Sequence, residues 1–270
     1  MTSFLEMADR PVAFIDSGIG GLPYLEYTRT LLPKKRFVYA ADRENFPYGR
    51  KNPEAIIRAT VLLTERLRER ENPALVVVAC NTMSVVALAE LRRRFPLPFV
   101  GVVPAVKPAA AFSKSRCVAV LATQRTVDDR YLEDLIEKHA EGCRVENFPA
   151  ADLVDFVERD LYKASPDEKR ERVRREAERF RRAGADTVVL ACTHFTHLLE
   201  DFISELGDGV RVVDSREGVA RQVMRLLGET DATRRGPGRP DAFYITGRDP
   251  IDARYAYFAD RFGLELAGTL

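Results

Sequence analysis

The sequence predicts an α/β fold with mainly parallel sheets, in two halves of similar build. Three observations carry that prediction. Short apolar runs alternate along the chain with segments of helical spacing, the pattern of strands joined by crossover helices. Several runs are near-continuous in Val, Leu and Ile, as strands covered on both faces require. One device also occurs twice: "LVVVACNTMS" (75–84) and "VVLACTHFT" (188–196) each run an apolar strand through alanine into cysteine, small polar residues and a helical pattern.

Taken in order, the strands are "PVAFID" (11–16), "FVYAAD" (37–42), "ALVVVAC" (74–80), "PFVGVV" (98–103), "CVAVLAT" (117–123), "CRVENF" (143–148), "DTVVLAC" (186–192), "VRVVDS" (210–215) and, last, "AFYITG" (242–247). After the third, "VVALAELRRRF" (85–95) has apolar residues at helical spacing. The arginine-rich "PDEKRERVRREAERFRRAG" (166–184) puts Val173, Ala177 and Phe180 on one stripe, with acids among the arginines. It reads as a helix with a solvated face rather than a basic binding surface. "TDATRRGPGRPDAFY" (230–244) has the Gly, Pro and Arg content of an exposed connection before the last strand.

At 270 residues the chain accommodates two domains, and 46% hydrophobic content is enough for two cores. Lys plus Arg number 42 against 41 Asp plus Glu, a net charge of +1, which argues against a dedicated nucleic-acid or anionic-membrane surface. No apolar run approaches the roughly 20 residues of a membrane span. The opening "MTSFLEMADRPVAFID" lacks the basic and apolar regions of a secretory signal. Cys80, Cys117, Cys143 and Cys192 are far apart with no CxxC, so reduced thiols and a cytoplasmic location are expected.

In parallel α/β sheets, function collects at the carboxyl ends of the strands. Several runs end in polar or reactive residues: Asp16-Ser17, Asp42, Cys80-Asn81-Thr82, Thr123, Cys192-Thr193-His194 and Asp214-Ser215. "DSGIGGL" (16–22) places glycines 18, 20 and 21 between a strand and a helix. Without a GK[ST] or GxGxxG context it reads as a tight turn that lets backbone approach something closely, and the neighbouring Asp16 and Ser17 leave room for a polar ligand.

A lone buried cysteine is ordinarily core. Cys117 and Cys143 lack polar companions and read as structural, whereas Cys80 and Cys192 share one setting. Zinc is one reading of that pair, but a single Cys-x-His and one distant Cys are poor ligand spacing. A disulfide conflicts with the expected compartment, and a single nucleophile leaves the duplication unexplained. Two-base proton transfer accounts for both thiols: one removes a proton from one face of a carbon while the other delivers a proton to the opposite face. A helix N-terminus favours a thiolate, and its N–H groups can hold a substrate carboxylate.

With these motifs assembled, the chain closely resembles the glutamate racemases, of the aspartate/glutamate racemase superfamily. The resemblance spans nearly the whole chain, in order, through "FIDSGIGGL", "NFPYG", "ACNTMS", "GVVPAVKPA", "FVERD", "LACTHFTHL", "VVDSREGVA" and "YITG". It implies two Rossmann-like (flavodoxin-like) α/β domains related by a pseudo-twofold axis, with the active site in the cleft between them. The first domain would comprise residues 1–103 plus 214–270, and the second 104–213. It further implies cofactor-independent interconversion of L- and D-glutamate, supplying D-glutamate for peptidoglycan, with no metal and a homodimeric assembly.

By that resemblance Cys80 deprotonates D-glutamate and Cys192 L-glutamate, Asp16 supports Cys80, and His194 supports Cys192 with Glu158 near it. Asp16, Ser17, Tyr48, Gly49, Asn81, Thr82, Thr123, Thr193 and His194 match substrate-binding positions. Two departures stand out: Ala191 replaces the family's usual glycine before the second cysteine, and "HFT" replaces "HYP". The nearby His197 reads as a surface or helix-packing residue. Aspartate racemisation, or a related isomerase reaction, is the alternative. That branch tends to carry Glu where this chain has His194, and some same-fold isomerases and decarboxylases use a single cysteine. A non-catalytic binding protein or a zinc protein is the remote alternative.

Overall fold

The apolar runs form parallel strands. The computed structural model describes residues 10–232, 238–248 and 250–270. In chain order it begins with β1 (Val12–Asp16), α1 (Leu22–Leu31), β2 (Phe37–Ala41), α2 (Pro53–Glu71), β3 (Leu75–Val78), α3 (Asn81–Arg94) and β4 (Phe99–Gly101). Next come α4 (Val106–Phe112), β5 (Cys117–Ala122), α5 (Gln124–Val127), α6 (Arg130–His139) and β6 (Arg144–Pro149). They are followed by α7 (Ala151–Arg159), α8 (Pro166–Ala183), β7 (Thr187–Leu190), α9 (Leu199–Leu206) and β8 (Arg211–Val213). The chain closes with α10 (Arg216–Ala232), β9 (Ala242–Ile245), α11 (Ala253–Arg261) and β10 (Glu265–Thr269).

Two compact units result: one runs up to Val102 and resumes at Arg216–Leu270, and the other is Val103–Ser215. The first holds a six-stranded sheet in the order β10-β9-β2-β1-β3-β4, and the second a four-stranded sheet in the order β6-β5-β7-β8. The strand pairs are parallel. In each unit the first strand lies between the second and third, and the fourth lies beyond the third. The chain therefore runs toward one edge of the sheet after the first strand and toward the other edge after the third, so the loops that follow these two strands diverge. Such a switch point is where parallel α/β sheets bind ligands. The loops in question begin at Asp16 and Cys80 in one unit, and at Thr123 and Cys192 in the other.

Burial explains the composition of the runs. Every residue of β1, β2, β3, β5, β7 and β9 is buried, while β6, β8 and β10 keep exposed or half-exposed positions. The β10 strand is missing from the sequence expectation, which ended at "AFYITG". Its "ELAGT" is a half-exposed edge with a register shift between Leu266 and Gly268, and Gly268 has φ +98°. A glycine at an irregular edge erases the alternation that announces a strand.

The arginine-rich segment folds as α8, with Val173, Ala177 and Phe180 buried. Ser165 and Glu168 cap its start reciprocally behind Pro166, and Gly184 ends it at φ 73°. Of the exposed connection expected over 230–244, Gly238 to Pro240 are exposed, and residues 233–237 lie outside the described residues. Residues 1–9, on which the reading of the amino terminus rests, lie outside them too. Among the described residues, no helix is long and apolar enough to cross a membrane.

Candidate active site

Cys80 is the N-cap residue of α3, extended at φ −140° and ψ 124°. It is buried, and Asn81 and Thr82 are buried in the turn that follows. Parallel pairing sets the end of β1 beside the end of β3, which brings Asp16 and Ser17 to the thiol. The Ser17 Oγ lies 3.9 Å from Cys80 Sγ. The same hydroxyl donates to Asp16 Oδ1 (3.2 Å), which also accepts from the Gly18 N–H (2.9 Å). Asp16 is fully buried, so this carboxylate depends on those donors.

Both polar atoms of the Asn81 side chain are buried with no hydrogen-bond partner among the described residues. A buried amide left unpaired costs a substantial part of a hydrogen bond each way. Beside a thiol, such an amide is a ready donor and acceptor for a polar ligand.

The glycine loop serves close approach. A Cβ on Gly21 would lie 2.6 Å from Ala79 Cβ, 3.0 Å from Ala79 O and 3.1 Å from Asp16 Oδ2. Glycine is therefore required for this turn to pack on the residue preceding Cys80. Two of the loop's N–H groups are engaged within the protein: Gly18 N by Asp16, and Gly21 N by Tyr39 Oη (3.0 Å), which in turn donates to Gly18 O (2.8 Å).

Tyr48 is buried in the short 3₁₀ turn Tyr48–Arg50 after β2, and Gly49 is half-buried there. The Tyr48 hydroxyl donates to Asp42 Oδ2 at 2.5 Å. Burial, followed by the nearby Asp42 carboxylate, pushes the phenol well above its ordinary value of 10. Its hydroxyl thus serves the protein, and its carbonyl accepts from Lys51 N (3.0 Å).

Cys192 repeats the backbone of Cys80, at φ −136° and ψ 134°. The helix expected after it begins as a 3₁₀ segment, Thr193–Leu198, that runs into α9. Cys192 Sγ lies 3.9 Å from His194 Nδ1, and His194 Nε2 lies 3.1 Å from Glu158 Oε2 on α7. Cys192, Thr193, His194 and Glu158 are all buried. A proton on Nε2 donated to Glu158 leaves Nδ1 as the acceptor facing the thiol. Cys80 is thus backed by a hydroxyl and a carboxylate, and Cys192 by an imidazole held by a carboxylate.

Thr123 follows β5 and caps α5, its Oγ1 accepting from Thr126 N (3.2 Å). Ala191 is fully buried against the core of its unit, and His197 is partly buried in the last turn of the 3₁₀ segment. Cys117 sits at the start of β5 and donates to Ala183 O (3.3 Å) while accepting from Arg144 (3.3 Å). None of the four cysteines is in a disulfide. Among the described residues, no group of three or more His, Cys, Asp or Glu side chains is arranged to hold a metal ion.

The candidate residues missed Asp42 and Thr246, although Asp42 ends "FVYAAD" and Thr246 lies in "YITG". Their position at strand ends was the available signal. Their joint contact, with Thr246 Oγ1 donating to Asp42 Oδ1 at 2.7 Å, spans 204 residues and has no local signature.

Comparison with known proteins adds a second line of argument. Glutamate racemase of Treponema pallidum is 43% identical over 260 residues, covering 96% of this chain and 96% of that protein. Glutamate racemase of Photorhabdus laumondii is 42% identical over 230 residues, 84% of this chain and 79% of its own. The crystal structure of Escherichia coli glutamate racemase in complex with L-glutamate and the activator UDP-MurNAc-Ala superposes with a TM-score of 0.88. It is 36% identical, covering 97% of this chain and 98% of that one. The profile of the Asp/Glu/hydantoin racemases matches residues 24–223. With that match and relatives of this similarity along nearly its full length, the chain belongs to the Asp/Glu/hydantoin racemase family.

Proposed function

We propose that the protein is a glutamate racemase that interconverts L- and D-glutamate by proton transfer between Cys80, Cys192 and the substrate Cα, without a cofactor. The observation that carries this reading is the duplicated thiol. Cys80 and Cys192 follow the third strand of two sheets that share a four-strand order, each as an N-cap residue with nearly the same backbone angles. The relatives named glutamate racemase support glutamate as the substrate.

In this mechanism the Cys80 thiolate takes the α-proton of D-glutamate: the C–H bond breaks and an S–H bond forms. The carbanion then takes a proton from the Cys192 thiol on the opposite face, giving L-glutamate and a Cys192 thiolate. The reverse direction exchanges the roles. Asp16, through Ser17, supports proton movement at Cys80, and His194, held by Glu158, supports it at Cys192. The Asn81 amide, with Ser17, Thr82, Thr193 and the Tyr48–Gly49 backbone, holds the amino and carboxylate groups and withdraws charge from the reacting carbon. Thr123 stands at the matching strand end of the second unit as a further contact. The product would supply peptidoglycan synthesis, from a cytoplasmic homodimer.

The test is incubation of purified protein with L- or D-glutamate in deuterated water, with no added cofactor. Loss of the α-proton signal and decay of optical activity are expected from either enantiomer. Faster reaction with aspartate would support the alternative. Activity abolished by chelation, or a pyridoxal chromophore in the protein, would refute the reading.

A further inference from the structure

We infer that Asp42 is a positioning residue for racemisation: together with Thr246 it fixes the Tyr48 hydroxyl and thereby holds the Tyr48–Gly49 backbone in place to bind substrate beside Cys80. This rests on the glutamate racemase reading and names a residue outside the catalytic set given above. Asp42 immediately follows β2, its N–H donating to Asp16 O at 2.8 Å, so it is tied directly to the strand end carrying the Cys80 partner. It is buried. Its carboxylate accepts from three side chains: Tyr48 Oη (2.5 Å), Thr246 Oγ1 (2.7 Å) and Asn45 Nδ2 (3.1 Å to each oxygen). A buried carboxylate held by three donors fixes the positions of all three.

Two of those donors lie just after Asp42 in the chain, and the third lies 204 residues on. Thr246 follows β9, Asn45 lies in the 3₁₀ turn Arg43–Asn45, and Tyr48 lies in the next turn. Thr246 also accepts from Glu44 N (3.1 Å), and its carbonyl accepts from Arg43 Nε (3.2 Å). The segment from 43 to 50 has only two short 3₁₀ turns of regular structure, so its shape depends on this side-chain network. Tyr48 and Cys80 belong to the same buried cluster, which places the ring in the neighbourhood of the thiol. The Asp42 carboxylate has no role in proton transfer here, since its acceptor positions are occupied by these donors.

The test compares wild type, Asp42→Asn, Tyr48→Phe and the double variant, measuring kcat and KM from each enantiomer by polarimetry and the thermal midpoint of each protein. If Asp42 acts through Tyr48, each single variant raises KM about tenfold for both enantiomers, with a smaller fall in kcat. The double variant is then no worse than the more impaired single one. A role in stability alone lowers the thermal midpoint and leaves KM unchanged. That outcome, or KM effects that multiply in the double variant, overturns the inference. Should Asp42→Asn fail to fold, Thr246→Val removes one donor from the same carboxylate. It should raise KM less than Tyr48→Phe does and add nothing in the Tyr48→Phe background; an unchanged KM overturns the inference. A wild type that racemises no glutamate overturns the functional reading and this inference together, whereas an active wild type with an unaffected Asp42→Asn overturns the inference alone.

Discussion

The proposed reaction gives the two thiols different proton partners, His194 and Asp16, and that difference can be measured one side chain at a time. In the proposed reaction His194 serves the thiol that abstracts from L-glutamate, and Asp16 the thiol that abstracts from D-glutamate. His194→Asn should slow deuterium exchange from L-glutamate more than from D-glutamate, and Asp16→Asn should do the opposite. Equal losses from both enantiomers in both variants would remove the pairings, while the equilibrium ratio of enantiomers stays fixed in every case. Glu158→Gln keeps the shape of the His194 partner but removes its charge, so its bias should match that of His194→Asn and be smaller. The thiols, His194, Asn81 and Thr82 stood out as candidates because each lies within four residues of a strand end in a repeated pattern. Glu158 was placed near Cys192 by resemblance alone, and its contact with His194, 36 residues away, was not foreseen. The Asp42 partner of Tyr48 escaped because a side chain's choice of acceptor is made by tertiary packing.

At the scale of elements, buried strands were legible because their apolar runs leave little alternative, whereas β10 and the 3₁₀ segment after Cys192 were not. Both depend on backbone irregularities that residue types mark weakly. Two loops make the energetic case. Gly21→Ala drives a methyl group into Ala79 at the foot of α3, so a loss of about 1–3 kcal/mol is expected in urea unfolding. Exchange from D-glutamate should fall more than exchange from L-glutamate, because Ala79 adjoins Cys80.

Asp186, just before β7, anchors the turn that precedes β5. Its carboxylate accepts from Ser113 Oγ (2.6 Å), Lys114 N (2.7 Å) and Ser115 N (2.6 Å). Burial raises its pKa, but these donors outweigh it and lower the group from 3.8 to about 2. A carboxylate with a depressed folded pKa stabilises the fold above its unfolded value, and that contribution is lost as pH falls through the folded one. Asp186→Asn should therefore cost up to about 2 kcal/mol at neutral pH. The gap to wild type should close between about pH 4 and pH 2. A difference independent of pH would show that the anchor works without its charge.

For the whole molecule, near-neutral charge and a repeated strand–cysteine–helix device were enough to point to a small-molecule reaction using two thiols. Each sheet repeats the same four-strand order, which explains how one device arose at two equivalent strand ends. Sequence spacing alone leaves open whether one chain supplies both thiols to one substrate. Cys80→Ser and Cys192→Ser should each abolish racemisation, because a serine hydroxyl is a far weaker base than a thiolate near neutral pH. When the two variants are mixed under conditions that exchange subunits, an active site drawn from a single chain gains nothing, since each chain still lacks one thiol. A site drawing Cys80 from one chain and Cys192 from another would recover activity in mixed dimers, up to about a quarter of the wild-type rate if pairing is random and both sites of a dimer are independent. Inactive mixtures are the expected result. Recovery that tracks the mixed-dimer population would move the reaction to a subunit interface while keeping its two-thiol chemistry.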